Sequence, residues 1–264
     1  MIEMAVGAIG ICAAGLPDWA SASRVFADAL PFDATSAAPR SLELLPPTER
    51  RRVNEISRLA CLAASDALTQ FPPGAATAMP SVFASSDGDG VVLKQMLDAL
   101  AQRNVVVSPT AFHNSVYNAP AGYWSIGTRS TAPSTTICAD RATFATALLE
   151  GCTQVIATGG PVLVVAVDAP FPEPLRPLGE SAAAFACALV LEPAAPPRVK
   201  PGIRSWTVCD VSAPPPPGVG VEQAFSGNAA AAALPLLRAL ARGKSARVML
   251  PYVDEAWLEL EVVP

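Results

Sequence analysis

Short apolar runs alternate with stretches of helical periodicity along most of the chain. Five short runs are predicted as strands: residues 4–11, 80–84, 134–138, 161–167 and 183–191. The runs 4–11 and 161–167 are almost wholly apolar, as expected of strands covered on both faces. Three stretches between them repeat apolar residues at helical spacing: residues 48–70, 90–100 and 141–156. This alternation predicts an α/β fold with a mixed, mostly parallel five-stranded sheet covered by helices.

The pattern changes after residue 192. Proline-rich segments at 193–197 and 214–217 flank a strand-like piece at 206–211. The remaining elements are predicted as one helix and two strands: residues 229–241, 246–250 and 256–263. Because this part has few large apolar side chains for a core of its own, we expect residues 193–264 to be a short αβ elaboration of the domain formed by residues 1–192.

Composition and charge narrow the class of protein. The 264 residues are 51% hydrophobic and carry a formal net charge of −5. Without clustered positive charge, a nucleic-acid partner is not expected. No apolar stretch reaches the length that spans a bilayer, so we expect no membrane span. Residues 1–4 lead into the first apolar run without a basic segment, which predicts a cytoplasmic protein.

Cysteine and histidine usage argues against a metal centre. The six cysteines form no C-x-x-C pair, and His113 is the single histidine. We expect mostly buried thiols, no metal and no cofactor.

Two glycine motifs have simple structural interpretations. Gly7-x-x-Gly10 lacks the spacing of a dinucleotide-binding turn, so close packing against the first strand explains it better. Residues 87–90 (DGDG) begin like a calcium loop but lack its later ligands, so we interpret them as a turn with a helix cap. No G-x-S-x-G turn is present for a serine hydrolase.

The segment 108–124 (SPTAFHNSVYNAPAGYW) is low in charge and rich in Ser, Asn and aromatic residues, which is typical of an ordered loop or short helix. It is followed by a strand-to-helix turn at 134–140 (STTICAD). Together these runs resemble the stand-alone β-ketoacyl-synthase-like proteins of chain-length-factor type found in bacterial aryl-polyene clusters. The resemblance covers residues 1–192 and implies a thiolase-like fold.

A working synthase of this family carries a nucleophilic cysteine at that turn, where a helix amino terminus lowers the thiol pKa. Cys138 lies close by, but aligning the following helix (FATAL) puts the nucleophile slot at Asp140. Cys138 is then either a small buried strand residue or a displaced nucleophile. The histidines that assist decarboxylative condensation have no counterpart, since His113 lies in the amino-terminal loop. We expect His113 to order that loop through a hydrogen bond.

The resemblance implies that the loop lines an acyl tunnel and contacts a partner subunit. The residues expected at this interface are Phe112, His113, Asn114, Val116, Tyr117, Asn118, Tyr123, Thr136 and Ile137. Trp124 is interpreted as core. The leading hypothesis is a non-catalytic subunit that forms a heterodimer with a β-ketoacyl synthase and meets acyl carrier protein indirectly.

Two alternatives stay open. In the first, Cys138 accepts an acyl group and the chain acts as a β-ketoacyl synthase or acyltransferase, completed by partner residues. In the second, the chain only docks the acidic carrier protein, which requires a basic patch at 50–52 or 242–247.

Overall fold

The structure is a computed structural model that describes residues 3–38, 41–102, 106–194, 200–209 and 220–264. Within these residues one sheet has the strand order β3-β2-β4-β5-β1-β6-β8-β7. The strands are β1 (Met4–Ala13), β2 (Ser81–Ala84), β3 (Ser134–Ile137), β4 (Val162–Asp168), β5 (Phe185–Pro193), β6 (Gly202–Cys209), β7 (Ala246–Pro251) and β8 (Trp257–Val263).

The α/β class is confirmed, but the strand count and the strand directions differ from the prediction. Only β2 pairs in parallel, with β3 and with β4, whereas β4–β5 and β5–β1 are antiparallel, as are the pairings of β6, β7 and β8. A parallel connection needs a crossover helix. The chain from β4 to β5 contains only a 3-10 turn, Arg176–Leu178, so β5 returns beside β4 in the opposite direction.

Helices cover both faces of the sheet. They are α1 (Trp19–Phe26), α2 (Pro47–Arg50), α3 (Glu55–Leu68), α4 (Gly90–Leu100), α5 (Pro109–Asn114), α6 (Ala119–Thr128), α7 (Thr143–Thr158), α8 (Val221–Ala224) and α9 (Leu234–Arg242). Alternate residues of β4 belong to two cores: Val164 belongs to the core that includes residues of α7, α1 and α9, and Val165 to the core that includes residues of α3 and α6. Burial on both faces explains why the strand is apolar throughout.

The predicted helix over 48–70 is two helices. The Asn54 side chain accepts a hydrogen bond from the Ser57 N–H (2.9 Å) and so caps α3 at a new start. Helix α3 crosses the sheet at Gly10 of β1, where an added Cβ atom would lie 2.0 Å from the Ala63 carbonyl oxygen. The packing interpretation of Gly10 is therefore confirmed.

The last elements extend the same sheet. β6 pairs with β1 at Met4 and Ala5, β8 pairs with β6, and β7 forms the far edge. The proline-rich segment 214–217 and the end of the predicted piece 206–211 lie outside the described residues. In the part of the chain that the structure describes, no helix has the length and apolarity needed to cross a bilayer.

Candidate functional site

The turn between β3 and α7 has the shape of a nucleophile elbow. Asp140 has a left-handed φ of 48°, which is uncommon outside glycine and marks a sharp turn. Thr143 is fully buried and fixes the turn, because its Oγ1 accepts a hydrogen bond from the Ala139 N–H (3.0 Å) and donates to the Asp140 carbonyl (2.6 Å). An exposed carboxylate, Asp140, therefore occupies the point of the turn.

Cys138 is not a buried strand residue, and that interpretation is wrong. It lies one residue beyond the end of β3 and is exposed. Its Sγ donates to the Ser86 carbonyl oxygen (3.1 Å). Tyr117 lies beside this thiol, and desolvation, followed by the interaction with Cys138, raises the pKa of Tyr117. The side chain sits at the sheet edge, because β3 is the first strand of the sheet.

A buried carboxylate holds the loop between β2 and α4. Asp168, at the end of β4, is fully buried. Its Oδ1 accepts hydrogen bonds from Ser85 Oγ (2.8 Å), Ser86 N–H (2.9 Å) and Asp87 N–H (3.2 Å). Its Oδ2 has no hydrogen-bond partner among the residues that the structure describes. Burial raises the pKa of Asp168 to about 7.

Asp89 caps α4 at the end of the same loop. Its Oδ1 accepts hydrogen bonds from the Val91 and Val92 N–H groups, both at 2.9 Å. This confirms the turn-and-cap interpretation of residues 87–90. The first helical residue, Gly90, is buried against the Phe171 ring, where a Cβ atom would lie 2.2 Å from the ring.

A cavity of about 370 Å³, the α4 groove, lies between α4 and the chain from α5 to α6. Its lining residues are Asn54, Ile56, Ser85, Asp87, Gly88, Asp89, Leu93, Met96, Leu97, Leu100, Asn114, Ser115, Val116, Tyr117 and Pro120. A second cavity of about 320 Å³, the turn pocket, lies beside the elbow. It is lined by Ser86, Asp87, Asp140, Arg141, Leu178, Glu180, Gly227, Asn228, Ala229, Ala232 and Pro251.

The predicted interface residues separate into two groups. Phe112, Val116 and Tyr117 are exposed, with Phe112 at 63%. Tyr123 is only 1% exposed and so does not belong to the surface predicted for it. The Tyr123 hydroxyl donates a hydrogen bond to Asn114 Oδ1 (3.0 Å). Asn114 is also buried and so does not belong to the predicted surface either.

The remaining predicted residues lie near that group. Asn118 is exposed at the start of α6, and Thr136 and Ile137 are half-buried on the edge strand β3. His113 is exposed and meets the Tyr123 ring edge-on, with 5.6 Å between ring centroids. Among the described residues the His113 side chain makes no hydrogen bond, so the prediction that it orders the loop through a hydrogen bond is wrong.

Asn114 orders the loop instead. Its Nδ2 donates to the Arg52 carbonyl oxygen (2.8 Å), and Asn54 Nδ2 donates to the Asn114 carbonyl oxygen (3.3 Å). Together with the Tyr123 hydrogen bond, these contacts tie the end of α5 to the start of α3 and to α6.

Sequence reasoning missed two parts of this site. The first is the buried Asp168; its only signal is a single acidic residue that ends an apolar strand. The second is the uncovered apolar face of α4, on which Leu93, Leu97 and Leu100 are 41%, 45% and 57% exposed. Only Gly90 and Val92 of this helix are buried. No group of three or more His, Cys, Asp or Glu side chains suited to a metal ion occurs among the residues that the structure describes.

The fold and the elbow define a protein of the ketosynthase type. The family description "Beta-ketoacyl synthase, N-terminal domain" matches residues 19–251, and the chain belongs to this family. The match continues well beyond residue 192, where the sequence resemblance was expected to end. No curated protein sequence matches the chain significantly.

Solved structures of two ketosynthase complexes share the fold. One is a ketosynthase (ApeO) in complex with its chain length factor (ApeC) from Xenorhabdus doucetiae, with 21% identity and a TM-score of 0.76 over 99% of this chain and 100% of that chain. The ishigamide ketosynthase/chain length factor has 14% identity and a TM-score of 0.76 over 98% and 99%.

A β-ketoacyl synthase from Burkholderia phymatum is also similar in fold, with 13% identity and a TM-score of 0.60. The match covers 92% of this chain but 71% of the synthase chain. At these identities the likeness concerns the fold.

Proposed function

We propose that this chain is a non-catalytic, chain-length-factor-like subunit that pairs with a β-ketoacyl synthase and shapes the acyl tunnel. The observation that carries the proposal is an elbow that presents the Asp140 carboxylate where the family needs a thiol. A carboxylate at this turn does not form the thioester that condensation requires. The sole histidine, His113, lies on the loop beside Tyr123 and not at the turn.

An uncovered apolar surface supports the partner role. We call Leu93, Leu97, Leu100, Phe112, Val116 and Tyr117 the α4–α5 surface; each is more than 40% exposed. Monomeric proteins seldom leave large contiguous apolar patches in water, and clustered exposed apolar side chains mark candidate interaction sites. The edge strand β3 supports the same role, since its free edge offers backbone groups to a partner strand.

The likeness to ketosynthase complexes points in the same direction. This chain matches whole chains in two complexes of a ketosynthase with a chain length factor but only part of the Burkholderia phymatum synthase. We propose that the pathway makes a polyketide or aryl polyene in the cytoplasm, with acyl carrier protein acting through the synthase. We also propose that residues 193–264 complete the domain begun by residues 1–192.

The partner role is tested by co-expressing this chain with a β-ketoacyl synthase and measuring the dissociation constant of the purified pair. Leu97→Asp places a charge on the α4–α5 surface, and we expect binding to weaken at least tenfold. Ile156→Asp is the matched control, because Ile156 is 50% exposed on α7 and does not line the α4 groove. Equal affinities for the two variants would place the interface elsewhere.

The exposure of Cys138 favours a second candidate function. In this alternative the thiol, as thiolate, attacks the thioester carbonyl of an acyl carrier protein, and the phosphopantetheine thiol leaves. Mass spectrometry after incubation with an acyl carrier protein thioester decides, with Cys138→Ser as the control. An added acyl mass that Cys138→Ser lacks would replace the non-catalytic proposal.

The carrier-docking alternative requires a basic patch at 50–52 or 242–247, and part of this positive charge is paired within the chain. Arg50 pairs with Glu43 at 2.7 Å, and Arg52 lies 3.7 Å from Glu49. In the second cluster Arg242 pairs with Asp28 at 2.7 Å. These ion pairs weaken the alternative, because docking an acidic carrier needs unpaired positive charge.

A further inference from the structure

A cavity of about 520 Å³ lies where the carboxyl ends of α3 and α6 meet, and we call it the α3–α6 cavity. Leu68 and Thr69 line it at the end of α3, and Gly127 and Thr128 line it at the end of α6. Residues 71–77, which lead towards β2, line the remaining side. Its described lining residues include none of those that line the α4 groove or the turn pocket, so the cavity is separate from the site described above.

The two helix ends make this cavity favourable for positive charge. The carboxyl end of a helix carries a partial negative charge from its last carbonyl groups and so attracts a cation. Neither α3 nor α6 has a basic residue in its last turn. Arg129, which follows α6, is exposed and does not line the cavity. None of the described lining residues is charged, so the cavity wall itself does not compensate the partial charge of the two helix ends.

The aromatic wall favours the same sign of charge. Phe71 is half-buried and lines the cavity together with Trp124. The face of an aromatic ring attracts a cation that lies within about 6 Å of the ring centroid. Lys200, which is paired with Glu192, already holds its Nζ 6.0 Å from the centroid of the Phe71 ring, and it does so outside the lining of the cavity. The Phe71 ring is therefore placed where an ammonium group can reach it.

We propose that the α3–α6 cavity is a binding site for a small organic ammonium ion. An anion would meet the negative ends of two helices without a basic side chain to pair with. A metal ion such as Mg²⁺ or Ca²⁺ requires carboxylate oxygens, and the described lining residues supply none. A quaternary ammonium ion suits the site, because its charge meets the ring and the helix ends while its methyl groups meet apolar side chains such as Leu44 and Pro73.

The cavity has the size of a small-ligand pocket, and its wall is held in place. Its volume lies within the range of about 300–1,000 Å³ that is usual for such pockets. The Thr77 Oγ1 donates to the Thr128 carbonyl oxygen (3.3 Å), and the Ser130 Oγ donates to the Thr77 carbonyl oxygen (3.0 Å). At Gly127 an added Cβ atom would lie 2.6 Å from the Leu44 side chain. Because these contacts already join α6 to its neighbours, binding a ligand has little ordering cost.

The test compares choline with 3,3-dimethylbutan-1-ol by isothermal titration calorimetry on the purified chain. The two molecules have the same shape, but the alcohol has a carbon atom in place of the charged nitrogen. We expect choline to bind roughly tenfold more tightly than the alcohol, since two helix ends and an aromatic ring act on the charge alone. No synthase is present, so the result is independent of subunit pairing.

One pair of variants tests the ring. Phe71→Leu keeps an apolar side chain but removes the ring face, and we expect the preference for choline over the alcohol to fall about fivefold. Phe112→Leu is the matched control, because Phe112 is 63% exposed and does not line the cavity. This control should keep the full preference.

A second pair of variants tests the helix ends. Thr128 ends α6 and Thr158 ends α7, and each Oγ1 donates to the carbonyl oxygen four residues earlier at 2.8 Å. Thr128→Lys places a competing ammonium group at the cavity, and we expect it to weaken choline binding about tenfold or more. Thr158→Lys places the same charge at a helix end that does not line the cavity, and it should bind choline as the wild type does.

Circular dichroism verifies that each variant is folded. The proposal is overturned if choline does not bind, if the alcohol binds as tightly as choline, or if Phe71→Leu keeps the full preference. It is also overturned if folded Thr128→Lys and Thr158→Lys bind choline equally well.

Discussion

Replacing Asp168 by asparagine should make the stability of this protein less dependent on pH. Asp168 is fully buried, and within the described part of the chain its Oδ2 has no hydrogen-bond partner. Burial raises its pKa from the ordinary 3.8 to about 7, so the folded state binds the proton more tightly than the unfolded state. The stabilisation is complete below about pH 4 and is lost as the pH rises towards 7.

The size of the effect follows from the two pKa values. Each pKa difference of one corresponds to 1.36 kcal/mol, so the rise from 3.8 to about 7 corresponds to about 4 kcal/mol lost across this pH range. Asp168→Asn keeps an Oδ1 acceptor for the Ser85, Ser86 and Asp87 donors but buries an unpaired amide N–H, at a cost of about 1–3 kcal/mol. We therefore expect the variant to gain about 3 kcal/mol of stability relative to wild type between pH 5 and pH 8, and to be the more stable of the two at pH 8.

Urea denaturation followed by tryptophan fluorescence at pH 5, 6, 7 and 8 measures both free energies of unfolding. Subtracting the wild-type free energy of unfolding from that of the variant removes the contribution of the other carboxylates. Asp87→Asn is the control, because the charge of Asp87 acts on Asp168. A difference that stays constant from pH 5 to pH 8 would refute the reasoning.

Two further predictions concern packing and thiol exposure. Gly10→Ala should destabilise the fold by about 3 kcal/mol or more, because its Cβ would lie 2.0 Å from the Ala63 oxygen; thermal melting should show a smaller loss for Gly122→Ala, where nothing lies within 4 Å of an added Cβ and φ is not positive, and equal losses would contradict the close packing. Cys138 should be the fastest cysteine to react with Ellman's reagent under native conditions; persistence of the fast phase in Cys138→Ser would contradict its exposure.

The sequence predicted those parts of the fold that depend on local chemistry. The apolar run of β4 indicated a strand buried on both faces, and Asp89 was expected to cap the following helix. The directions of the strands were not predictable, because a single-sequence pattern does not tell whether the chain from β4 to β5 crosses over or turns back. α2 and α3 are separate helices because Asn54 caps the start of α3. The apolar spacing on either side of Asn54 is that of one continuous helix, so the sequence pattern did not predict the break.

The site was predicted less well, because exposure depends on tertiary position. Cys138 has the apolar neighbours of a core residue, yet it is exposed because β3 is the edge strand. Tyr123 belongs to an aromatic segment, yet its hydrogen bond to Asn114 holds it inside. The spacing of Leu93 and Leu97 predicts a helix, but not that the apolar face of this helix is left uncovered.

The central claim is that this chain works as the partner of a β-ketoacyl synthase. The most direct measurement is the mass, by light scattering, of the particle that purifies when the two are co-expressed. The account predicts a stable heterodimer with one copy of each chain, in which Cys138 carries no acyl group. A chain that purifies alone as a stable monomer, with the synthase eluting separately, would contradict it.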